Sequence, residues 1–444
     1  MARPDNTIDY MDQGAFKGLR ALGRGPVIQF LWIYDHDIDV DGLLRLQQNL
    51  SCGGLLARII EPPVLPFARP RWVRAPAPHE LHLSGTAIDR DGLDAWTDER
   101  VYLPVDPEYG PPWHLGAQPF VGGGAAVSLV VSHVVGDALA ISEAVADAVR
   151  GTSRDLGYPR PHTRPRVASI RNDLRQAVAA VPDMVTAVAK SVRVALDMKT
   201  DLAASARSAS APVVEGDERP AALPTVTVHV DRSTWDARAK NLGGSSNALF
   251  AAIGARVGHR LGRVDDDGRV MLSFPVSVRA DGDTRGNALA TITVMADPES
   301  LPSDLGALRA DIKHELAGVD TWFETMTAPL PLVPLAPRFA VRRMEKAVLK
   351  VGKPVGCSNI GELPAAVNRP DGTDADRLSV RMIEPGLTSA DLERMDGHLF
   401  LVCSRTTRFV SVTATAWTPG VSDNRRVLTD AVRRTLADFA LTAS

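Results

Sequence analysis

The chain has 444 residues, more than one hydrophobic core usually accommodates, so two domains are the default expectation. Hydrophobic residues make up 45% and charged residues 23%, the balance of an ordinary globular protein. A net charge of -3 gives no electrostatic reason to expect a nucleic-acid partner. The three cysteines, Cys52, Cys357 and Cys403, are odd in number and far apart, unlike a disulfide framework or a CxxC metal site. They point to reduced, partly buried thiols in a cytoplasmic protein. The N-terminus lacks the apolar core of a signal peptide, and no apolar run reaches the roughly 18–20 residues of a membrane span. The expectation is a soluble chain, at most peripheral at the inner membrane face.

The apolar run Val27 to Tyr34 reads as a buried strand. Asp39 is placed to cap a helix through Leu43, Leu44, Leu46 and Leu50, and Leu55 to Ile60 reads as a second strand. Pro62 to Pro78, rich in proline and arginine, reads as irregular structure. Leu115 to Phe120 and Ala125 to Ser132 flank Val121-Gly122-Gly123-Gly124, the pattern of a hairpin with a glycine-rich loop. After Asp137, Ile141, Val145, Ala148 and Val149 recur at helical spacing, so His133 to Gly136 sits where a strand gives way to a helix. Arg164 to Met198 is a long, basic, amphipathic helical pattern interrupted at Pro182.

Thr200 to Pro224 is small, polar and proline-containing, the signature of a flexible connection. It divides the chain into an N-terminal domain over 1–200, a linker over 201–224 and a C-terminal domain over 225–444. The second half restarts with the alternating strand Thr225 to Val230, and Ser245, Ser246 or Asn247 can cap a helix carrying Leu249, Phe250, Ile253 and Val257. Strands are expected at Val270 to Val278 and Ala288 to Met295, then a helix at Asp304 to Leu316 and a proline-rich apolar stretch from Ala328 to Pro337. Leu399 to Arg405 and Phe409 to Trp417 form a hairpin, and Arg425 to Leu441 a closing helix. Each half mixes strands with helices, so the fold class is α/β (α+β), two domains facing each other across a groove.

Of the ten histidines, His229 lies in an alternating strand, and His259 and His314 sit in helices beside charges, as surface or packed histidines do. There is no HExxH and no helical His pair, so no metal is indicated; nor is there a GxSxG. Gly122-Gly123-Gly124 lacks the lysine and the strand–loop–helix setting of a phosphate loop. His133 differs because it follows a wholly apolar strand, which would hold its imidazole on a rigid support. A neutral imidazole near pH 7 can take the proton of an alcohol or amine as that group attacks a carbonyl. Asp137, four residues on, either orients this segment or is simply a helix N-cap beside a satisfied loop histidine.

Trp113 to Val145 resembles the active-site hairpin of the HxxxD acyltransferase superfamily. That group includes condensation domains, polyketide-associated acyltransferases and wax ester synthase/diacylglycerol acyltransferases. Their HHxxxDG motif reads Ser132-His133-Val134-Val135-Gly136-Asp137-Ala138 here, with Ser for the first His and Ala for the last Gly. Pro112-Trp113 resembles the signal that opens the hairpin, and Ser246-Asn247-Ala248-Leu249 the start of an Asn-Asp helix. Phe274-Pro275-Val276-Ser277-Val278-Arg279 with Gly286-Asn287 is similar to a PVSVR…GN element. Cys357-Ser358-Asn359-Ile360-Gly361 is similar to SNVPGP, although Glu362-Leu363-Pro364 departs from its end. The similarity spans about Asp12 to Leu441.

The resemblance implies two chloramphenicol-acetyltransferase-like domains forming a V-shaped pseudo-dimer with a central tunnel, His133 at its midpoint as the general base. It implies that Asp137 points away from substrate and pairs with an arginine, for which Arg279 is the candidate. Ser132, Gly136, Ser358 and Asn359 are the candidate substrate-binding residues, the last two placed to line the tunnel and meet the oxyanion or acceptor. The implied activity is O-acyl transfer from acyl-CoA or an acyl carrier thioester as co-substrate to a small-molecule or lipid hydroxyl, with no bound cofactor, metal or acyl-enzyme. An acyl carrier protein is a candidate partner. Amide-forming condensation and a non-catalytic binding member of the fold are the alternatives, the latter kept open by Ser132 and Ala138. The Arg164–Met198 pattern, the Ala328–Pro337 stretch and the basic Arg338–Lys350 segment suit either a membrane surface or ordinary packing.

Overall fold

The computed structural model describes residues 5–76, 80–197, 219–348 and 353–443. Thirteen strands run in chain order as β1 (Val27–Tyr34), β2 (Arg58–Glu61), β3 (Arg71–Arg74), β4 (Leu81–Leu83), β5 (Trp113–Pro119), β6 (Ala125–Ser132), β7 (Thr225–Asp231), β8 (Val270–Ser277), β9 (Leu289–Ala296), β10 (Val355–Glu362), β11 (Arg377–Ile383), β12 (His398–Arg405) and β13 (Phe409–Trp417) among the described residues. They form a five-stranded sheet, β11-β1-β6-β5-β4, a six-stranded sheet, β7-β13-β12-β10-β8-β9, and the small pair β2-β3. Each large sheet packs its own core, so the molecule has two lobes of mixed strands and helices.

In the first lobe, β5 and β6 pair antiparallel from Trp113↔Val131 to Pro119↔Ala125. Gly122, Gly123 and Gly124 all take positive φ in the turn between them, the region other residues avoid. The all-buried β6 lies between β5 and β1, which explains why its sequence is predominantly apolar, broken only by Ser128 and Ser132, rather than alternating. The helix Val40–Cys52 starts at Asp39, whose carboxylate accepts from Asp41 N, and its Leu43, Leu46 and Leu50 are buried. The helix Ala138–Arg150 starts at Asp137. In the second lobe Ser245 caps Ser246–Arg260, accepting from Ala248 N, and that helix buries Leu249, Phe250, Ile253 and Val257. The helix Asn424–Asp438 packs beside it.

Several expectations need correcting. Leu55–Ala57 is a 3₁₀ turn, and the strand begins only at Arg58. The proline- and arginine-rich Pro62 to Pro78 contains β3, which pairs with β2. The helix Arg166–Asp197 runs straight through Pro182. Pro182 removes one helical hydrogen bond, and Val178, whose carbonyl loses it, is exposed to water. The proline-rich stretch is a 3₁₀ helix, Leu330–Leu335, preceded by an unforeseen helix, Val319–Thr327. Most of the 201–224 linker, and the ends of the Arg164–Met198 and Arg338–Lys350 patterns, lie outside the described residues.

The division at residue 225 is not where the lobes part. β11, from the second half, pairs antiparallel with β1 over Val27↔Ile383 to Ile33↔Arg377 and completes the first sheet. Ile360, Leu363 and Val367 join the first lobe's core, and the buried Trp32 indole donates to Val367 O at 2.7 Å. β11 also touches the second sheet, where Ser411 of β13 donates to Leu378 O at 2.6 Å. A crossover strand thus ties the two lobes together.

Candidate functional site

His133 leaves the end of β6, where its backbone N donates to Pro26 O and the preceding Ser132 N donates to Pro112 O, both at 3.0 Å. Val135 N closes the turn on Ser132 O at 2.9 Å. Asp137 then starts the helix Ala138–Arg150, its Oδ1 accepting from Ala140 N at 2.9 Å. Its other oxygen, Oδ2, accepts from Arg279 Nη2 at 2.7 Å and from Ala288 N at 3.1 Å. The two side chains are 3% and 5% exposed, so this ion pair is almost fully withdrawn from water. Arg279 also donates to Arg285 O at 3.0 Å and Gly286 O at 2.9 Å, and Gly286 O accepts from Asp137 N at 2.8 Å. The Asp137 carboxylate is therefore both a helix cap and the partner of Arg279.

The loop from Val278 to Ala288 comes from the second lobe and is pressed onto the histidine turn of the first. A side chain on Gly286 would come within 2.9 Å of both Val134 O and Val135 O, so only glycine allows this approach. Asn287 Nδ2 donates to His133 O at 3.0 Å. Behind the turn, the Trp113 indole donates to Leu56 O at 2.9 Å, anchoring the start of β5.

Two cavities meet at His133. The smaller, about 280 Å³, is lined by Asp137, Ala138, Ser277, Thr291, Ser358 and Asn359 with apolar residues of β1, β11 and β12. The larger, about 660 Å³, lies under the helix Tyr10–Leu22 and is bounded by its Met11, Gly14, Gly18 and Leu22 and by Phe323, Met326 and Leu330. Leu289, Thr291 and Met382 belong to the walls of both. Lys17 of the same helix fastens the turn at the larger cavity's rim, donating to Val333 O at 2.8 Å and Pro334 O at 2.6 Å. A third crevice, about 450 Å³, lies between β1 and β7. Its Arg381, Arg377 and Arg425 are engaged by Asp98, Asp35 and Asp94.

The structure thus brings together His133, Asp137, Arg279, Ser358 and Asn359. Ser358 and Asn359 face the smaller cavity from β10, although the Asn359 amide already donates to Asn247 Oδ1 at 2.9 Å and its oxygen accepts from Gly361 N at 3.0 Å. Ser132 and Gly136 are buried and border neither cavity; Ser132 O accepts from Val135 N within the turn. Ala138, at the last position of the motif, does face the smaller cavity. Sequence reasoning passed over Asp12 and the cavity-lining face of the helix Tyr10–Leu22. An acidic residue in a first helical turn and small residues in a helix carry no signal of their own.

No sequence-family profile matches the chain, and no curated protein matches it either. Solved structures do. The first condensation domain of the calcium-dependent antibiotic synthetase, bound to a substrate analogue, is 15% identical, with 98% of this chain and 95% of that chain covered at a TM-score of 0.58. Polyketide synthase associated protein 5 from Mycobacterium tuberculosis is 15% identical, with 98% and 97% covered at 0.51. The nonribosomal peptide synthetase FmoA3 is 16% identical at 0.54, but this chain, 98% covered, spans only 43% of that longer one. The chain therefore shares its fold with these condensation domains and with polyketide synthase associated protein 5.

Proposed function

We propose that the protein is an acyltransferase that moves an acyl group from a thioester, acyl-CoA or carrier-bound, to a hydroxyl of a lipid or secondary metabolite. His133 is its general base. The observation that carries this reading is that His133 borders both cavities, where one can hold the donor and the other the acceptor. The imidazole takes the hydroxyl proton as the acceptor oxygen attacks the thioester carbon. The tetrahedral intermediate then collapses, the carbon–sulfur bond breaks, and the imidazolium returns the proton to the leaving thiolate. Ser358 is placed to hydrogen-bond the oxyanion or acceptor. Asp137 and Arg279 hold the turn and stay out of the reaction.

The apolar lining of the larger cavity supports a medium or long acyl chain, each buried methylene being worth about 0.8 kcal/mol. The experiment is thiol release from a series of acyl-CoA donors with a fixed alcohol, for wild type and His133→Ala. We expect efficiency to rise with chain length and the variant to lose about 10²–10⁴-fold while remaining folded. Equal rates for the two proteins would sink the role of His133. A maximum at acetyl-CoA would sink the long-chain reading.

Amide formation on carrier-bound substrates is the second reading, favoured by the condensation domains among the structural neighbours. Amine acceptors and a carrier-bound donor in the same assay separate the two. Peripheral contact with a lipid surface belongs to the first reading: the helix Arg166–Asp197 exposes Val167, Leu174, Val178, Val181, Val185 and Val188, and it packs against the Leu330–Leu335 turn at the larger cavity's rim.

A further inference from the structure

Asp12 is completely buried, yet it is not the cap of its helix; that place is taken by Asp9, which accepts from Met11 N. The Asp12 carboxylate instead leaves the helix Tyr10–Leu22 and grips the second-lobe loop. Its Oδ2 accepts from Gly286 N at 2.7 Å, and its Oδ1 accepts from Asn287 N at 2.7 Å and from Asn287 Nδ2 at 3.1 Å. The same Asn287 amide donates to His133 O, and the same Gly286 carbonyl accepts from Asp137 N. Arg58, also buried, works from the other side, donating to Thr284 O at 2.5 Å and Val135 O at 3.1 Å while its guanidinium lies 3.8 Å over the Trp72 ring.

We infer that Asp12 is a positioning residue: through Gly286 and Asn287 it sets how deeply the second-lobe loop sits against the first lobe, and so the pose of His133 between the cavities. This rests on the reading of His133 as the base. The carboxylate thus joins the helix Tyr10–Leu22 to the Val278–Ala288 loop, and the loop, through Asn287 and Gly286, holds the histidine turn. Burial pushes the Asp12 carboxyl up to about 6, against the pull of Arg58 and the N–H donors of Gly286 and Asn287. A charge kept under that penalty is not accounted for by folding stability alone. It is accounted for by the backbone N–H groups that only an acceptor with two oxygens can hold together.

The test uses the full-length protein and two variants. Asp12→Asn keeps the shape and removes the charge; Asn287→Ala cuts the link to His133 and guards against a first variant that fails to fold. Hydrogen–deuterium exchange is followed in residues 132–140 and 279–290, with 225–260 as the control, alongside kcat and KM for thiol release. Faster exchange confined to the first two segments is expected, with kcat lower by about 10²-fold and KM little changed, because a misplaced base slows the chemical step without weakening binding. Unchanged exchange and kcat would overturn the proposal. So would a uniform rise in exchange with kcat per folded molecule unaltered, the behaviour of an ordinary structural residue. If wild type releases no thiol but the exchange pattern appears, the positioning role stands and the acyl-transfer reading fails.

Discussion

At the scale of single residues, Asp137 divides its two oxygens between two tasks, one capping a helix and the other pairing with Arg279. Removing one partner of a buried pair leaves an uncompensated charge and costs about 3–5 kcal/mol. Losing an N-cap costs about 1 kcal/mol more. Asp137→Ala should therefore destabilise more than Arg279→Ala, and the double variant should lose much less than the sum of the two. Chemical denaturation of the three variants measures this cycle. Strict additivity would mean the 2.7 Å contact carries no coupling and that Asp137 acts through its cap alone.

At the scale of elements, three strands carry histidines that the fold keeps neutral: His114 on β5, His229 on β7 and His398 on β12. Nδ1 of His114, on β5, accepts from Arg100 Nη2 at 2.9 Å. His229, on β7, lies 2.9 Å from the Ser411 hydroxyl. Burial, aided by Arg100, lowers His114 from 6.5 to about 3; burial aided by Arg377 lowers His229, and burial aided by Arg263 lowers His398, each from 6.5 to about 4. Below pH 6.5 the unfolded chain therefore binds more protons at these sites than the folded one. Their contribution is fully present above that value and is lost as pH falls, by at most about 1.4 kcal/mol per pH unit each. Asp12, raised from 3.8 to about 6, acts in the opposite sense, its burial costing more stability as pH rises through that interval. With three histidines against one carboxylate, the urea midpoint should fall between pH 7 and pH 5. His114→Gln, whose amide oxygen can still accept from Arg100, should flatten that slope; an unchanged slope would show that His114 does not stay neutral in the fold.

At the scale of the whole molecule, the larger cavity and the exposed valine face of the helix Arg166–Asp197 flank the same turn, Leu330–Leu335. Leu335 and, just beyond it, Phe339 are also exposed, and Arg338 and Arg343 lie beside them in sequence. An apolar face with arginines at its margin suits an anionic lipid surface, despite the chain's net charge of -3. Vesicles containing an acidic phospholipid should co-sediment the protein, and binding should weaken with salt. Val178→Asp with Val185→Asp should weaken it without loss of activity toward a short, soluble donor. Equal sedimentation of wild type and this variant would show that the face is not the contact.

What the chain alone determined was whatever depends on near neighbours. The apolar run of β1, the glycine turn between β5 and β6, the caps Asp39 and Ser245, and the β12–β13 hairpin were all legible, because each is specified by residues a few positions apart. The histidine turn was legible for the same reason, as a strand passing into a helix at Asp137. β11 was not: Arg377 to Ile383 carries two arginines and a serine, an unpromising buried strand until Gln29, Asp98 and Thr97 O are seen to satisfy Arg381. Only the tertiary structure decided that this strand crosses to the other lobe, that Ser132 and Gly136 border neither cavity, and that Asp12 reaches the loop behind His133. A buried charge is stable only beside its partners, and those partners lie hundreds of residues away in the chain, beyond the reach of any local pattern.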